Sequence, residues 1–204
     1  MDLRCRTFAL GWWIVAAMTV GACASGDGST SSIGKPVSPG QPFPNGFLLV
    51  RSPNSEGWTL QTSSRQGISF SRVGPADSES YIAQVSLFEL PPTKDADAFV
   101  AFIRSNVERE TPPERFDTLE VNYEYLDQRG YPCVKMSGLA EDKLARTSSL
   151  KRERLNLQVR ALYCRHPKNI NFGFSAAFSH RGATIDKQLG AQAQSFIDSV
   201  QVVQ

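Results

Sequence analysis

Histidine is nearly absent from this chain, with only His166 and His180 among 204 residues. A serine or cysteine nucleophile needs a base and an acid to orient that base, and no Gly-x-Ser-x-Gly turn presents a serine. His166 precedes a proline in an expected hairpin turn and His180 ends an expected strand, so both are expected at the surface rather than as bases. The Gly-rich phosphate loop, the His-Glu-x-x-His helix and the calcium-loop spacing are missing as well, so no metal and no cofactor is expected. Glu120 and Glu124 share a strand face with Asn122, but four strand residues put them about 13 Å apart. Paired glycosidase carboxylates stand roughly 5–9.5 Å apart, so a solvated strand face accounts for these two. The chain also lacks an excess of one charge: 22 basic against 20 acidic residues leave a formal +2, which gives no general pull toward nucleic acid. The apolar run from Phe8 to Val20 is too short for a comfortable spanning helix, which takes about 20 residues.

That run does have a second use. Arg4 and Arg6 precede it, and Val20-Gly21-Ala22-Cys23 follows it, the order of a charged start, an apolar centre and a small-residue cleavage site. The four residues ending at Cys23 resemble the lipobox of bacterial lipoproteins. The resemblance implies that the cysteine thiol carries lipid, including the acyl chain of a palmitate-type anchor, and that residues 1–22 are removed as a signal peptide. An ordinary cleaved signal or an uncleaved anchor are the alternatives. Ala24 and Ser25 follow, with no aspartate directly after the cysteine, and in that family this pattern permits sorting to the outer membrane. The expected location is therefore the periplasmic face of the outer membrane, with inner-membrane retention left open. From Ala24 to Gly46 the chain is rich in Gly, Ser, Thr and Pro, too poor in large apolar side chains to offset chain entropy. Residues 23–46 are expected to be a lipidated cysteine and a flexible tether, about 25–30 Å long as a coil.

Losing Asp2, Arg4 and Arg6 with the signal leaves the mature chain with one basic residue in excess. Residues 47–204 are expected to form a single globular domain, about 160 residues being enough for a real core. Cys5 leaves with the signal and Cys23 carries lipid, so Cys133 and Cys164 are the remaining thiols, in a compartment where disulfides persist. Neither belongs to a Cys-x-x-Cys unit and His166 has no partners at ligand spacing, which favours a structural disulfide over a redox or metal pair. Closing a loop of about 32 residues stabilises the fold by roughly 3–4 kcal/mol in the chain-entropy model.

Along the domain, Phe47–Val50 is apolar and docks the chain onto the fold. Trp58-Thr59-Leu60, Ile68-Ser69-Phe70 and Tyr81–Leu90 alternate apolar with polar residues, as half-buried strands do. Asp95 and Asp97 then open an amphipathic helix over about residues 95–110, with Phe99, Val100, Ile103 and Val107 at helical spacing and Pro112-Pro113 at its end. Strands return at 119–125, 131–139, 155–163 and 170–178, and Ile185, Leu189, Ala193, Phe196 and Ile197 mark a closing helix. Odd positions are apolar in 155–163 and Val134 and Met136 are the expected core positions of their strand. Cys133 and Cys164 therefore fall on one common, less apolar face of neighbouring strands. The aromatics of Phe172–Phe178 are expected to be mainly core.

This order of elements resembles the PsbP-like fold of extrinsic photosystem proteins, a Ran-binding nuclear import factor and several bacterial envelope lipoproteins. The residues that carry the resemblance are Trp58, Ile68-Ser69-Phe70, Asp97-Ala98-Phe99, Gly130-Tyr131-Pro132-Cys133, Leu162-Tyr163-Cys164 and Ser195-Phe196-Ile197-Asp198-Ser199-Val200, and it covers about residues 45–204. It implies an α+β fold, an α/β/α sandwich around a central antiparallel sheet, and a non-catalytic domain that binds another envelope protein in assembly or stress resistance. A periplasmic small-molecule or lipid carrier is the alternative, and an envelope hydrolase a third that nothing in the sequence requires. One basic stretch stands out near a hairpin, Lys143, Arg146, Lys151, Arg152, Arg154, Arg160, Arg165 and Lys168, with Lys143, Arg146, Lys151, Arg152 and Arg154 as its candidate docking residues. It reads as a docking patch for lipid headgroups, lipopolysaccharide or an acidic partner, or, more simply, as a solvated loop.

Overall fold

Alternating apolar and polar side chains build strands wherever one face can be buried, as in Leu48–Arg51 and Ser80–Glu89, whereas Phe172–Gly182 is buried on both faces. The computed structural model describes residues 34–147 and 152–203. In chain order the strands and helices are β1 (Pro42–Asn45), β2 (Leu48–Arg51), β3 (Thr59–Ser64), β4 (Gly67–Val73), β5 (Ser80–Glu89), α1 (Ala96–Glu110), β6 (Phe116–Leu126), β7 (Cys133–Arg146), β8 (Arg152–Arg165), β9 (Phe172–Gly182), α2 (Leu189–Ser199) and β10 (Gln201–Val202). A seven-stranded antiparallel sheet runs β3-β4-β5-β9-β8-β7-β6, and a smaller sheet runs β1-β2-β10. The fold is α+β.

Each helix takes a different face of the large sheet. Leu162 and Cys164 of β8 alternate with Tyr163. On the first face, Phe196 of α2 meets Phe178 and Phe70 with ring centroids 6.0 and 6.5 Å apart, and Trp58 meets Phe178 at 5.4 Å. These four side chains are at most 2% exposed, and each contributes about 1.5–3 kcal/mol by leaving water. On the second face, Phe88 packs on Tyr163, and α1 brings Phe99 under the Arg165 guanidinium and Arg104 over Tyr123. The sequence signals for α1 operate as expected: Asp95 accepts from the Ala98 N–H at 2.8 Å, Phe99 and Ile103 are buried, and the Thr111 hydroxyl donates to the Val107 carbonyl before the two prolines.

Two expectations change. The expected tether to Gly46 is shorter on its domain side. Gly34 N–H donates to the Leu60 carbonyl at 2.7 Å, Val37 N–H to the Trp58 carbonyl at 2.9 Å, and β1 pairs with β2. Pro42 and Pro44 sit on an outer strand, where a missing N–H is tolerated, so a composition that suggested a tether is equally suited to an edge. Residues 1–33, with the expected signal peptide and Cys23, lie outside the described residues. The closing helix is the second change: it starts at Leu189, and Ile185 is half exposed ahead of it.

Candidate functional site

The β6–β7–β8 register decides what stands beside α2. Leu126 pairs with Cys133 and Cys133 with Cys164; one step along the same face, Glu124 pairs with Lys135 and Lys135 with Leu162. The directly opposed cysteines form a disulfide. They share a face, as expected, but it is the more apolar one: both are at most 1% exposed within the core cluster under α2. The odd-position apolar run of β8 occupies the other face. Ala161-Leu162-Tyr163-Cys164 is buried throughout because helices cover both sides, and two-sided burial erases the alternation that assigns faces.

Between this strand face and α2 lies a groove of about 470 Å³. Leu126, Leu162, Ala193, Ile197 and the Cys133 side of the disulfide are its apolar lining. Gly190 and Ala193 are small and leave the space between α2 and the strands unfilled here: a Cβ at Gly190 would meet nothing within 4 Å. At one rim Arg129, delivered by the 127–130 turn, ion-pairs with Asp198 at 2.5 Å, and Gln194 donates to the same carboxylate at 2.8 Å. Gly130 makes that turn with φ +76°, a conformation that suits glycine. Lys135 and Arg160 project on the same face from neighbouring strands in diagonal register, a spacing of about 7–8 Å. Among the described residues neither holds an ion pair, and Arg160 bonds only the carbonyl of Val159, at 3.4 Å. Glu124 lines the edge. The disulfide supplies no thiolate, and among the described residues no histidine or serine lines the groove. The arrangement offers an apolar floor, two uncommitted cations and one carboxylate. It can bind; it does not assemble a nucleophile with a base.

The two histidines are buried, contrary to the surface expectation. His180 is 1% exposed: Nε2 meets Glu79 Oε1 at 2.8 Å, Nδ1 meets Gln158 Oε1 at 3.1 Å, and the ring lies against Tyr81. Tyr81 in turn donates to Asp186 at 3.1 Å, and burial, then Asp186 and Glu79, push its phenol up to about 12. Asp186 accepts from the Gln188 N–H and from Gln192, while its own N–H donates to Gln158. The cluster therefore fastens the start of α2, whose N-cap has no side-chain bond of its own, to the sheet, with Arg72 stacked over Tyr81 and Trp58. His166 is 4% exposed beneath Phe47, and burial, aided by Lys168, lowers its pKa. Turn position suggested exposure for His166, but the β1–β2 loop folds over it, a long-range contact that local sequence does not encode.

The basic cluster separates into committed and free charges. Lys143 pairs with Asp117 at 2.7 Å and bonds the Pro113 carbonyl, and Arg154 pairs with Glu141 at 3.0 Å. Arg146 and Arg152 oppose each other directly across the ladder, both exposed and, among the described residues, without an acid partner. Lys151 lies outside the described residues. Below this hairpin, where the β7–β8 register shifts, Asp142 is fully buried, accepts from Arg115 at 3.1 and 2.9 Å and forms an ion pair with Arg181 at 3.1 Å. No group of three or more metal-ligating side chains occurs among the described residues. Among Lys135, Arg160 and Glu124, Arg160 belongs to the basic stretch read from the sequence as a docking patch or a solvated loop and Glu124 was assigned to a solvated strand face, whereas Lys135 was not singled out. The signal that could have found them is a charged residue alternating with Leu162 and Cys164 on a strand buried from both sides.

No family model and no curated protein matches this chain. Solved structures do. It is similar to a single-residue variant of the protein Mog1, with a TM-score of 0.44 and 14% identity over 83% of this chain and 96% of that one. It is similar to the Saccharomyces cerevisiae Ran-binding protein Mog1p, at 0.42 and 13% over 84% and 96%. A third is a protein of unknown function, PA94 from Pseudomonas aeruginosa, at 0.42 and 13% over 68% and 92%. At this level of identity function is read from the site, not from the likeness.

Proposed function

We propose that this chain is a lipid-anchored protein of the cell envelope whose domain binds another envelope protein without catalysing a reaction. In this reading Cys23 carries the lipid, residues 1–22 are the signal peptide, and the domain is a PsbP-like α/β/α sandwich at the periplasmic face of the outer membrane. The lipobox-like Val20–Cys23 supports the anchor. The observation that carries the binding role is the groove beside α2. Its apolar floor is cross-linked by the Cys133–Cys164 disulfide, and its rim holds Lys135 and Arg160, which make no ion pair among the described residues. A rigid apolar floor with a few fixed charges at the rim is the anatomy of a docking surface. The groove, rather than the basic hairpin, is the contact, because Lys143 and Arg154 of that hairpin already hold internal ion pairs. The same apolar floor, at about 470 Å³, lies within the roughly 300–1,000 Å³ of small-ligand sites, which gives the carrier reading a specific basis.

The deciding experiment places a photo-crosslinking amino acid at Gln194, on the groove rim, in intact cells. One discrete protein adduct is expected, lost in the Lys135→Glu/Arg160→Glu variant and retained in Arg146→Glu/Arg152→Glu. An adduct indifferent to the groove charges defeats the assignment. Recovery of a small molecule in native mass spectrometry, with no protein adduct, favours the carrier.

A further inference from the structure

The turn joining β8 to β9 carries an apolar surface that the groove does not use. Ile170 is 61% exposed, Phe172 42% and Phe47, from the β1–β2 loop, 55%. Phe47 and Phe172 each meet His166, in the turn that also carries Ile170. The His166 ring meets Phe47 at 5.6 Å between centroids, and the His166 backbone N–H donates to the Phe172 carbonyl at 2.9 Å. One step inward on the same strand face, Phe174 and Cys164 are almost fully buried, so exposure is confined to the tip. Lys168, exposed, stands in the same turn. His166 adds a second, independent observation. Its Nδ1 accepts from the Lys168 N–H at 3.2 Å, so Nε2 carries the ring proton, and that atom is buried without a hydrogen-bond partner. A buried unpaired donor is unfavourable, and the ring that carries it packs edge-on against Phe47, a side chain whose displacement would uncover the ring to an acceptor.

We infer that this tip, made of Phe47, Ile170, Phe172, Lys168 and His166, rests in the headgroup–acyl boundary of a phospholipid bilayer. The inference rests on the lipid anchor proposed above for its geometry. From Cys23 to Gly34, where the described fold begins, eleven residues reach at most about 40 Å. That is comparable with the diameter of a domain of this size, whose radius of gyration is about 15 Å, so the tether keeps the domain within about one diameter of the membrane, in reach of the headgroups. The tip suits that place chemically. Aromatic and aliphatic side chains enter the boundary, a lysine faces anionic headgroups, and the His166 N–H gains a phosphate or ester oxygen when Phe47 moves into lipid. Glu89, exposed and directly across the ladder from Phe172, holds the insertion shallow, since its carboxylate stays in water.

The test uses full-length protein extracted from envelopes and reconstituted on phosphatidylglycerol–phosphatidylethanolamine vesicles with brominated acyl chains. The N-terminal peptide is weighed by mass spectrometry in the same preparation. Ile170→Trp reports the tip and Val73→Trp the opposite end of the sheet, where Val73 is 76% exposed; emission of the parent is subtracted. The Ile170→Trp signal should lose most of its added emission and shift blue, while the Val73→Trp signal keeps its own. If lipid is present on Cys23 and Ile170→Trp is not quenched, or both positions are quenched equally, the tip assignment is overturned. If Cys23 proves unmodified yet Ile170→Trp is quenched on added vesicles, the anchor reading fails and the tip stands. Unmodified and unquenched protein refutes the tip.

Discussion

Replacing both members of the disulfide, Cys133→Ala/Cys164→Ala, tests how the groove floor is held. The two cysteines are 31 residues apart, and freeing a loop of that length returns about 12 cal/mol/K of entropy to the unfolded chain, or about 3.7 kcal/mol at 25 °C. Both sulfurs lie in the core cluster, so the exchange also removes packing, and a loss of about 4–5 kcal/mol is expected. For a domain of this size each kcal/mol moves Tm by about 2–4 °C, so the variant should melt roughly 8–20 °C lower. The assay is urea unfolding followed by circular dichroism, with thiol alkylation beforehand to establish that the parent is oxidised. Because a cross-link compacts the unfolded ensemble, the urea dependence should steepen in the variant while its midpoint falls. A loss below about 1 kcal/mol with an unchanged slope would refute the argument that the cross-link acts on the unfolded chain.

The remaining expectations concern the other buried polar clusters. Asp142→Ala leaves Arg115 and Arg181 facing each other without a counter-charge and should cost about 3–5 kcal/mol. Arg115→Met/Asp142→Leu/Arg181→Met should recover most of that, and denaturant midpoints for the two variants check both figures. Tyr81 predicts an alkaline limit. Its pKa is raised from 10.0 to about 12 by folding, so its contribution is intact below pH 10 and is lost between pH 10 and 12, about 2–3 kcal/mol in all. Tyr163, also raised by burial, acts in the same direction. Tyr81→Phe should flatten the pH dependence of stability above 10 relative to the parent, and an unchanged slope counts against the Tyr81–Asp186–His180 cluster as drawn.

Elements whose signals are local were legible in the sequence. The α1 helix announced itself through Asp95, the Phe99–Ile103 spacing and the Pro112-Pro113 stop, and the strands of the β8–β9 hairpin through their alternation. The pairing of Cys133 with Cys164 was visible for the same reason, because period-two alternation assigns faces. What misled was burial on both sides. Leu157, Val159 and Ala161 made the odd face of β8 look like the principal core, although α2 and the Trp58–Phe178–Phe196 cluster cover the even face. The groove stayed hidden with it, since Lys135 and Arg160 read as solvated charges until α2 is placed beside them. Buried histidines were missed because His166 and His180 acquire their partners from Phe47, Glu79 and Gln158, all distant in sequence.

The position of β9 has a kinetic consequence. Strands β3, β4 and β5 join their neighbours in sequence, as do β6, β7 and β8, so each trio closes by short loops and forms early. Strand β9 alone unites them, pairing Ser80–Glu89 of β5 on one side and Asn156–Arg165 of β8 on the other. Its pairing with β5 spans a long stretch of chain and is therefore the slow step. Until Phe172–Gly182 is available, two meanders wait with open strand edges. A chain that emerges N-terminus first through any membrane must keep those edges apart from its neighbours until its last fifth arrives.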